Sequence, residues 1–384
     1  MVIQSFRPIL GGAQLQVEAL APLLAERGAD VHCVTHHIHG TERLELSPDI
    51  AIRRVGASSP QPLRSASYTL GGTARTAALR PDIIHVHDLL SPASIGLAAG
   101  RLTGVPVVAK VLSVGPGGDI DRLLSKPFGK SRLRAAIARF SFITLSDEVD
   151  AALLALGAAP SQLNRIPNGV DSARFHPPEP GDQDEARDLV RTRLGIPDGV
   201  PLSLYCGRLA PVKRLDVLLE AFAGVPGHLL LAGSGPEEQA LRELAAHPAL
   251  SGRVTIWDDA EDVAPLYRAA DLYVSASGTE GMSNSVLEAL ASGLPVAASP
   301  ASGMAELIGT GAGVLATCST PTALRAAMLS LAENRAGAAR CARRGRSVAR
   351  DFALESVADQ LMALYGRLLE RPRPMGARPT GVTA

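Results

Sequence analysis

The stretch Leu202-Ser203-Leu204-Tyr205-Cys206-Gly207-Arg208-Leu209-Ala210-Pro211-Val212-Lys213 decides the fold. Its first five residues form a short, mostly apolar run without the alternation of a half-solvated strand, so it reads as a parallel strand covered on both faces. Gly207 breaks the run, and two cations follow in the loop that opens a crossover. The same run recurs downstream in Leu229-Leu230-Leu231, Val254-Thr255-Ile256, Leu272-Tyr273-Val274 and Pro295-Val296-Ala297-Ala298. Upstream it occurs in Val31-His32-Cys33-Val34-Thr35, Asp82-Ile83-Ile84-His85-Val86, Val105-Pro106-Val107-Val108-Ala109 and Phe142-Ile143-Thr144-Leu145, after an opening strand at Val2 to Phe6. Parallel neighbours need crossover connections, which the intervening helical patterns supply. In the first of these, Leu15, Leu20, Leu23 and Leu24 share a stripe that ends at Gly28, with Pro22 a point of kinking. Two successive α/β, Rossmann-like βαβ domains follow from this pattern.

Composition sets the limits of function. At 384 residues the chain exceeds a usual domain, and with 46% apolar but 3% aromatic residues its cores are built from Ala, Leu and Val. The 38 Lys+Arg balance 38 Asp+Glu, which excludes a nucleic-acid binder working through an overall basic field and the charge excess of a disordered chain. Cys33, Cys206, Cys318 and Cys341 lie far apart with no CxxC pair, as expected of reduced intracellular thiols. Arg7 and Pro8 interrupt any secretory core, and no run approaches the roughly 20 apolar residues of a membrane span, so the expected compartment is the cytoplasm.

The expected organisation is a first domain over 1–174, a linker over 175–195, a second domain over 196–350, a helix over 351–371 that returns toward the first domain, and a loose tail over 372–384. The linker begins His176-Pro177-Pro178-Glu179-Pro180-Gly181-Asp182-Gln183-Asp184 and runs into a short charged helix.

Four clusters of chemically useful residues follow predicted strands, where open α/β sheets bind ligands. Gly11-Gly12 precedes a helix, so its N–H groups can approach a phosphate, although an ordinary strand-to-helix turn has the same pattern. Gly207 with Arg208 and Lys213 suits a diphosphate, or is a solvated basic loop. Gly233-Ser234-Gly235-Pro236 carries part of a dinucleotide fingerprint, but Glu238 stands where the last glycine is required, against a dehydrogenase. In Glu280-Gly281-Met282-Ser283-Asn284-Ser285-Val286-Leu287-Glu288 the two carboxylates would lie about 12 Å apart along a helix, too far for an acid/base pair. Ser285-x-x-Glu288 also reads as a capping box, a purely structural use of Glu288.

Taken in order, Gly207-Arg208-Leu209 to Lys213-Arg214-Leu215-Asp216, Gly233-Ser234-Gly235-Pro236, Ala270-Asp271-Leu272-Tyr273-Val274 and Glu280-Gly281-Met282 to Leu287-Glu288-Ala289 resemble the donor half of the family 4 retaining glycosyltransferases. The Gly-Gly turn, Pro81-Asp82-Ile83-Ile84-His85-Val86-His87 and Ile166-Pro167-Asn168-Gly169-Val170-Asp171 resemble the acceptor half, so the likeness covers nearly the whole chain. The resemblance implies a GT-B fold, two Rossmann-like domains facing a deep interdomain cleft. It implies an enzyme that transfers a hexose from a nucleotide-diphosphate sugar, UDP-sugars first, to a hydroxyl of a glycan, lipid-linked or small-molecule acceptor. Arg208 and Lys213 would hold the donor diphosphate and Glu280 the transferred sugar, with Gly281, Met282, Ser283 and Asn284 placing sugar and phosphate. Glu288 would bind the ribose hydroxyls, Gly207, Gly233 and Gly235 would line the nucleotide, and Gly12 would reach the diphosphate from the first domain. No cofactor and no metal are implied, since the nucleotide sugar is a substrate. A sugar epimerase or phosphorylase, or a sugar-nucleotide-binding protein of weak activity, is the competing reading on the same fold.

The chain departs from the family at one place. A His common after the strand near Val105 to Val111 is replaced by Lys110-Val111-Leu112-Ser113-Val114-Gly115-Pro116-Gly117-Gly118-Asp119. Lys110 and Asp119, with His87 at a neighbouring strand end, become the acceptor-side candidates. Each also has a structural reading, as a strand-end charge, a turn or cap residue and a core His. Asp119-x-Asp121 and Asp182-x-Asp184 imitate a metal-binding DxD but fall in a turn and in the linker. Gly129-Lys130-Ser131 has Leu124 where a P-loop needs Gly, and Gly281-Met282-Ser283-Asn284-Ser285 lacks the final Gly of a nucleophile elbow. Arg122, Lys126, Lys130, Arg132, Arg134 and Arg139 lie in a stretch without an acid, 122–146, that could rest on an anionic membrane surface or form a solvated helix face.

Overall fold

The computed structural model describes residues 1–9, 11–58, 63–178, 182–197, 199–258 and 262–370. The tail expected over 372–384 lies outside them. The chain divides into two compact units, Met1–Pro167 with the chain from Val357, and Asn168–Ser356.

The first unit is built on an eight-stranded sheet: β1 (Val2–Ile3), β2 (His32–His36), β3 (Leu44–Ser47), β4 (Ile50–Val55), β5 (Ile84–His87), β6 (Val107–Lys110), β7 (Ser141–Thr144) and β8 (Leu163–Arg165). Their spatial order is β3-β4-β2-β1-β5-β6-β7-β8, and every pairing is parallel except β3 with β4. The reversal of order around β1 is the switch point of a doubly wound sheet. The sequence pattern misses the edge hairpin Leu44–Val55, whose outer strand leaves Leu44 and Leu46 exposed and therefore has no buried run to read. The helix Gly12–Glu26 runs through Pro22 without a break in its assignment. It stops where Gly28 takes a φ of +86° and Ala29 N–H closes on the Leu24 carbonyl at 3.0 Å. The core is made mostly of small and branched side chains, among them Ile84, Val86, Ala99 and Ala109, with Tyr68, Phe140 and Phe142 as its aromatic members.

The second unit has a six-stranded, wholly parallel sheet: β9 (Leu202–Cys206), β10 (His228–Ala232), β11 (Val254–Trp257), β12 (Leu272–Ser275), β13 (Val296–Ala298) and β14 (Gly313–Leu315). The order is β11-β10-β9-β12-β13-β14, so β9 is central and its C-terminal loop lies between those of β10 and β12. This adjacency gathers three of the four sequence clusters at one sheet edge.

The chain passes between units at Pro167/Asn168 and again at Ser356/Val357. Part of the stretch expected as linker is the helix Asp182–Leu194, and it belongs to the second unit. Arg187 pairs with Asp271 at 2.7 Å, and the buried Arg191 reaches Asp271 at 3.5 Å and donates to the Val200 carbonyl at 2.7 Å. These contacts at the start of β12 hold the helix to its own sheet. The last described helix, Leu354–Glu370, joins the first unit from Val357: Arg27 pairs with Asp359 at 2.6 Å and His85 Nδ1 meets the Tyr365 hydroxyl at 2.7 Å.

Candidate active site

Loops after β9, β10 and β12 are knitted by their backbones. Gly207 N–H donates to the Ala232 carbonyl at 2.9 Å, Leu209 N–H to Ser234 at 2.9 Å, and Glu237 N–H to Leu209 at 3.0 Å. Gly278 N–H reaches the Val212 carbonyl at 3.0 Å, tying the loop of Lys213 to the loop of Glu280. Gly233 has a φ of +138°, and a Cβ there would sit 2.1 Å from the Gly207 carbonyl oxygen. Only glycine permits this approach of the two loops.

On this frame Lys213 Nζ donates to Glu280 Oε1, and Ser277 Oγ donates to the same oxygen at 2.9 Å. The Glu280 side chain is 13% exposed and that of Lys213 23%, so the pair is sheltered yet reachable. Arg208 lies in the same loop with its carbonyl bonded by the Tyr205 hydroxyl at 3.0 Å and its side chain exposed. Among the described residues its guanidinium has no ion-pair partner. Two cations and a carboxylate thus lie on neighbouring loops at the C-terminal edge of a parallel sheet, an arrangement that can hold an anionic group beside a polyhydroxylated one.

Glu288 sits on the helix Asn284–Ala291. The capping-box reading of Ser285 and Glu288 fails: the N-cap is Ser283, and Glu288 Oε2 accepts from the Tyr267 hydroxyl at 2.7 Å. Burial raises the Glu288 carboxyl above the ordinary range, while the Tyr267 hydrogen bond and then Arg174 oppose the rise. Tyr267 is itself fixed, stacked on Tyr273 at 5.8 Å and met edge-on by Phe175. The segment Met282 to Asn284 is anchored from outside: Asn168 Nδ2 donates to the Met282 carbonyl at 3.1 Å and to Asn284 Oδ1 at 2.8 Å.

The structure therefore brings together Gly207, Arg208, Lys213, Gly233, Gly235, Glu280, Gly281, Met282, Ser283, Asn284 and Glu288. Gly12 opens the helix of the first unit, with Gly11 as its N-cap.

The acceptor-side candidates also lie in the first unit. His87 and Lys110 are partners across β5 and β6, and both are buried. His87 stacks on His85 with centroids 4.3 Å apart, and neither of its ring nitrogens has a hydrogen-bond partner among the described residues. Burial first, then His85 and Lys110, holds the His87 imidazole well below its usual range. Burial brings the Lys110 ammonium down to about 8. Asp119 is 2% exposed and its Oδ2 accepts from Leu112 N–H at 2.8 Å, so it closes the loop that follows β6. Beside it is Asp88, with a φ of +103° and a carboxyl that burial, then Asp119, pushes up to about 8. Its Oδ1 accepts from Leu90 N–H at 2.7 Å.

Sequence reasoning assigned no role to Ser277, Asn168, Tyr267 or Asp88. Ser277 could have been found as a polar residue two positions after β12. Tyr267 has no such signal, because its pairing with Glu288 joins two helices on either side of a strand.

Solved structures share this architecture. Sucrose-phosphate synthase from Thermosynechococcus elongatus superposes with a TM-score of 0.80 at 24% identity, covering 96% of this chain and 98% of that one. Anabaena HepE, in complex with UDP and glucose, gives 0.76 at 20% identity over 95% and 99%. The fold is accordingly GT-B, that of a large class of glycosyltransferases. Residues 10–174 match the model of Glycosyltransferase Family 4, and 200–334 that of Glycosyl transferases group 1. The chain belongs to the family 4 glycosyltransferases. The D-inositol 3-phosphate glycosyltransferase of Xylanimonas cellulosilytica is 29% identical, over 94% of this chain and 93% of that protein. The protein of the same name from Streptomyces coelicolor is 28% identical, over 94% and 89%.

Proposed function

We propose that this glycosyltransferase moves a hexose from a UDP-sugar to an acceptor hydroxyl with retention of anomeric configuration and without a catalytic metal ion. The observation that carries the reading is the sheltered Lys213–Glu280 pair at the strand ends, with Arg208 in the same loop as Lys213. Arg208 and Lys213 bind the diphosphate and stabilise the charge that develops on it as the bond from the anomeric carbon to the phosphate oxygen breaks. Glu280, held by Ser277, accepts hydrogen bonds from the sugar hydroxyls. Glu288, oriented by Tyr267, takes the ribose hydroxyls. The acceptor oxygen attacks the face the leaving group vacates, and its proton passes to the departing phosphate. No covalent nucleophile is needed, and the Lys213 and Ser277 contacts orient Glu280 as a binding group.

HepE's complex with UDP and glucose supports a uridine donor, and the names of the two relatives make a polyol phosphate the first acceptor to try. No cofactor takes part.

The test is incubation with labelled UDP-sugars and polyol, polyol phosphate, glycan and lipid-linked acceptors, followed by mass spectrometry and the anomeric coupling constant of the product. An α-linked product from an α-linked donor, formed equally in EDTA, supports the reading. Inversion, strong EDTA inhibition, donor epimerisation or binding without turnover each overturns it.

A further inference from the structure

We propose that the paired helices Asp119–Leu124 and Gly129–Ile137, with the turn between them, form a docking surface for an anionic phospholipid bilayer. Their inner faces are committed to the core of the first unit: Leu123, Leu133 and Ala136 are buried, and Arg132 points inward to the Leu90 carbonyl at 2.5 Å. The outer face is cationic. Arg122, Lys126, Lys130 and Arg134 are exposed; Lys130 and Arg134 lie one turn apart on the second helix, and Lys126 lies in the turn that precedes it. Among the described residues, none of those three has an ion-pair partner. Of the nearby acids, Asp119 is buried on Leu112 N–H, the exposed Asp121 flanks the patch on its N-terminal side, and the next acid along the chain is Asp147.

The turn between the helices distinguishes a bilayer from a soluble polyanion. Phe128 is 83% exposed, with Leu124 at 38% and an exposed Pro127 beside it. Phe128 has a φ of +59°, a conformation uncommon for an aromatic residue, and its ring projects from the turn. An exposed ring with an exposed Lys two residues away on either side suits the boundary where acyl chains meet anionic headgroups, the ring entering the apolar side and the cations staying with the phosphates. A soluble polyanion would use the cations and leave the ring in water. The overall balance of 38 basic and 38 acidic residues means that this attraction is local to the patch.

The experiment is co-sedimentation of the full chain, without donor, with vesicles of phosphatidylcholine alone and of phosphatidylcholine mixed with phosphatidylglycerol. Because no sugar nucleotide is present, its outcome is independent of the proposed reaction. Binding is expected to the mixed vesicles alone and to be reversed by salt. The double variant Lys126→Glu/Lys130→Glu should bind about tenfold or more weakly. Phe128→Asn, which suits the left-handed conformation and keeps the turn, should weaken vesicle binding while sparing retention on heparin. Thermal midpoints within a few degrees of the parent confirm that both variants fold. Equal partitioning onto both vesicle types overturns the proposal, as does charge reversal without effect. Heparin binding with no vesicle binding overturns it in favour of a soluble polyanion.

Discussion

Lys213 and Glu280, 67 residues apart in the chain, are joined as an ion pair at the edge of one parallel sheet because β9 and β12 are neighbours. The Gly278–Val212 backbone bond fixes their loops in register, and Ser277 steadies the carboxylate. In the structure the cation and the carboxylate satisfy one another; under the proposed function a bound donor would give the cation a diphosphate and the carboxylate a sugar.

The Tyr267 hydroxyl should set nucleotide affinity through Glu288. Tyr267→Phe removes one hydrogen bond to the carboxylate and should weaken UDP binding about three- to tenfold, measured by titration calorimetry. Its pH dependence has a definite sign. Burial raises the Glu288 carboxyl in the wild type, opposed by the Tyr267 bond, so losing the bond raises it further. UDP affinity should therefore begin to fall at a higher pH in the variant as the solution is acidified. The same midpoint in both proteins would contradict this use of Glu288.

Asn168 is expected to act as a positioning residue. Asn168→Ala leaves the Met282 carbonyl and the Asn284 side chain without their shared donor, at a cost of about 1–3 kcal/mol in stability. The donor KM should rise with less change in kcat, and Asn168→Asp, which keeps the shape but loses the donors, should not restore it. Steady-state kinetics with the donor varied, beside a thermal melt, checks this.

Asp88 is expected to weaken the fold as pH rises. Its carboxyl titrates near 3.8 when exposed and at about 8 in the folded chain, so the native state holds a proton that the unfolded chain has lost. Stability is lost as pH climbs from about 4 to about 8 and then levels off. Asp88→Asn keeps the acceptor for Leu90 N–H, tolerates the positive φ and cannot ionise. It should melt several degrees higher than the parent at pH 8 and differ little at pH 4, on the order of 1–3 kcal/mol. An Asn variant less stable at both pH values would contradict the buried, protonated state.

Much of the fold was legible because its central strands are uninterrupted apolar runs: Leu202 to Cys206 was read with its observed bounds, and Leu229 to Leu231 to within one residue at either end. The edge strand Leu44–Ser47 was not, since exposure on an edge leaves no apolar pattern. The loops that carry Arg208, Lys213 and Glu280 were legible because glycines and charges follow each strand. Their partners were harder to see. Ser277 is an ordinary serine in sequence, Tyr267 becomes a Glu288 partner only through tertiary packing, and Ser285-x-x-Glu288 suggested a cap that the helix, starting at Asn284, does not use. The stretch after Phe175 carried enough Pro and Gly to read as a linker, yet Arg187 and Arg191 bind it to Asp271.

The central claim, that the Lys213–Glu280 site binds and activates the donor, is tested most directly by sugar transfer from a labelled UDP-sugar in Lys213→Ala and Glu280→Ala. The pair is partly exposed, so its loss should move the thermal midpoint little. Transfer should fall about a hundredfold or more in each variant. Near-normal transfer in both, with intact folding, would contradict the account.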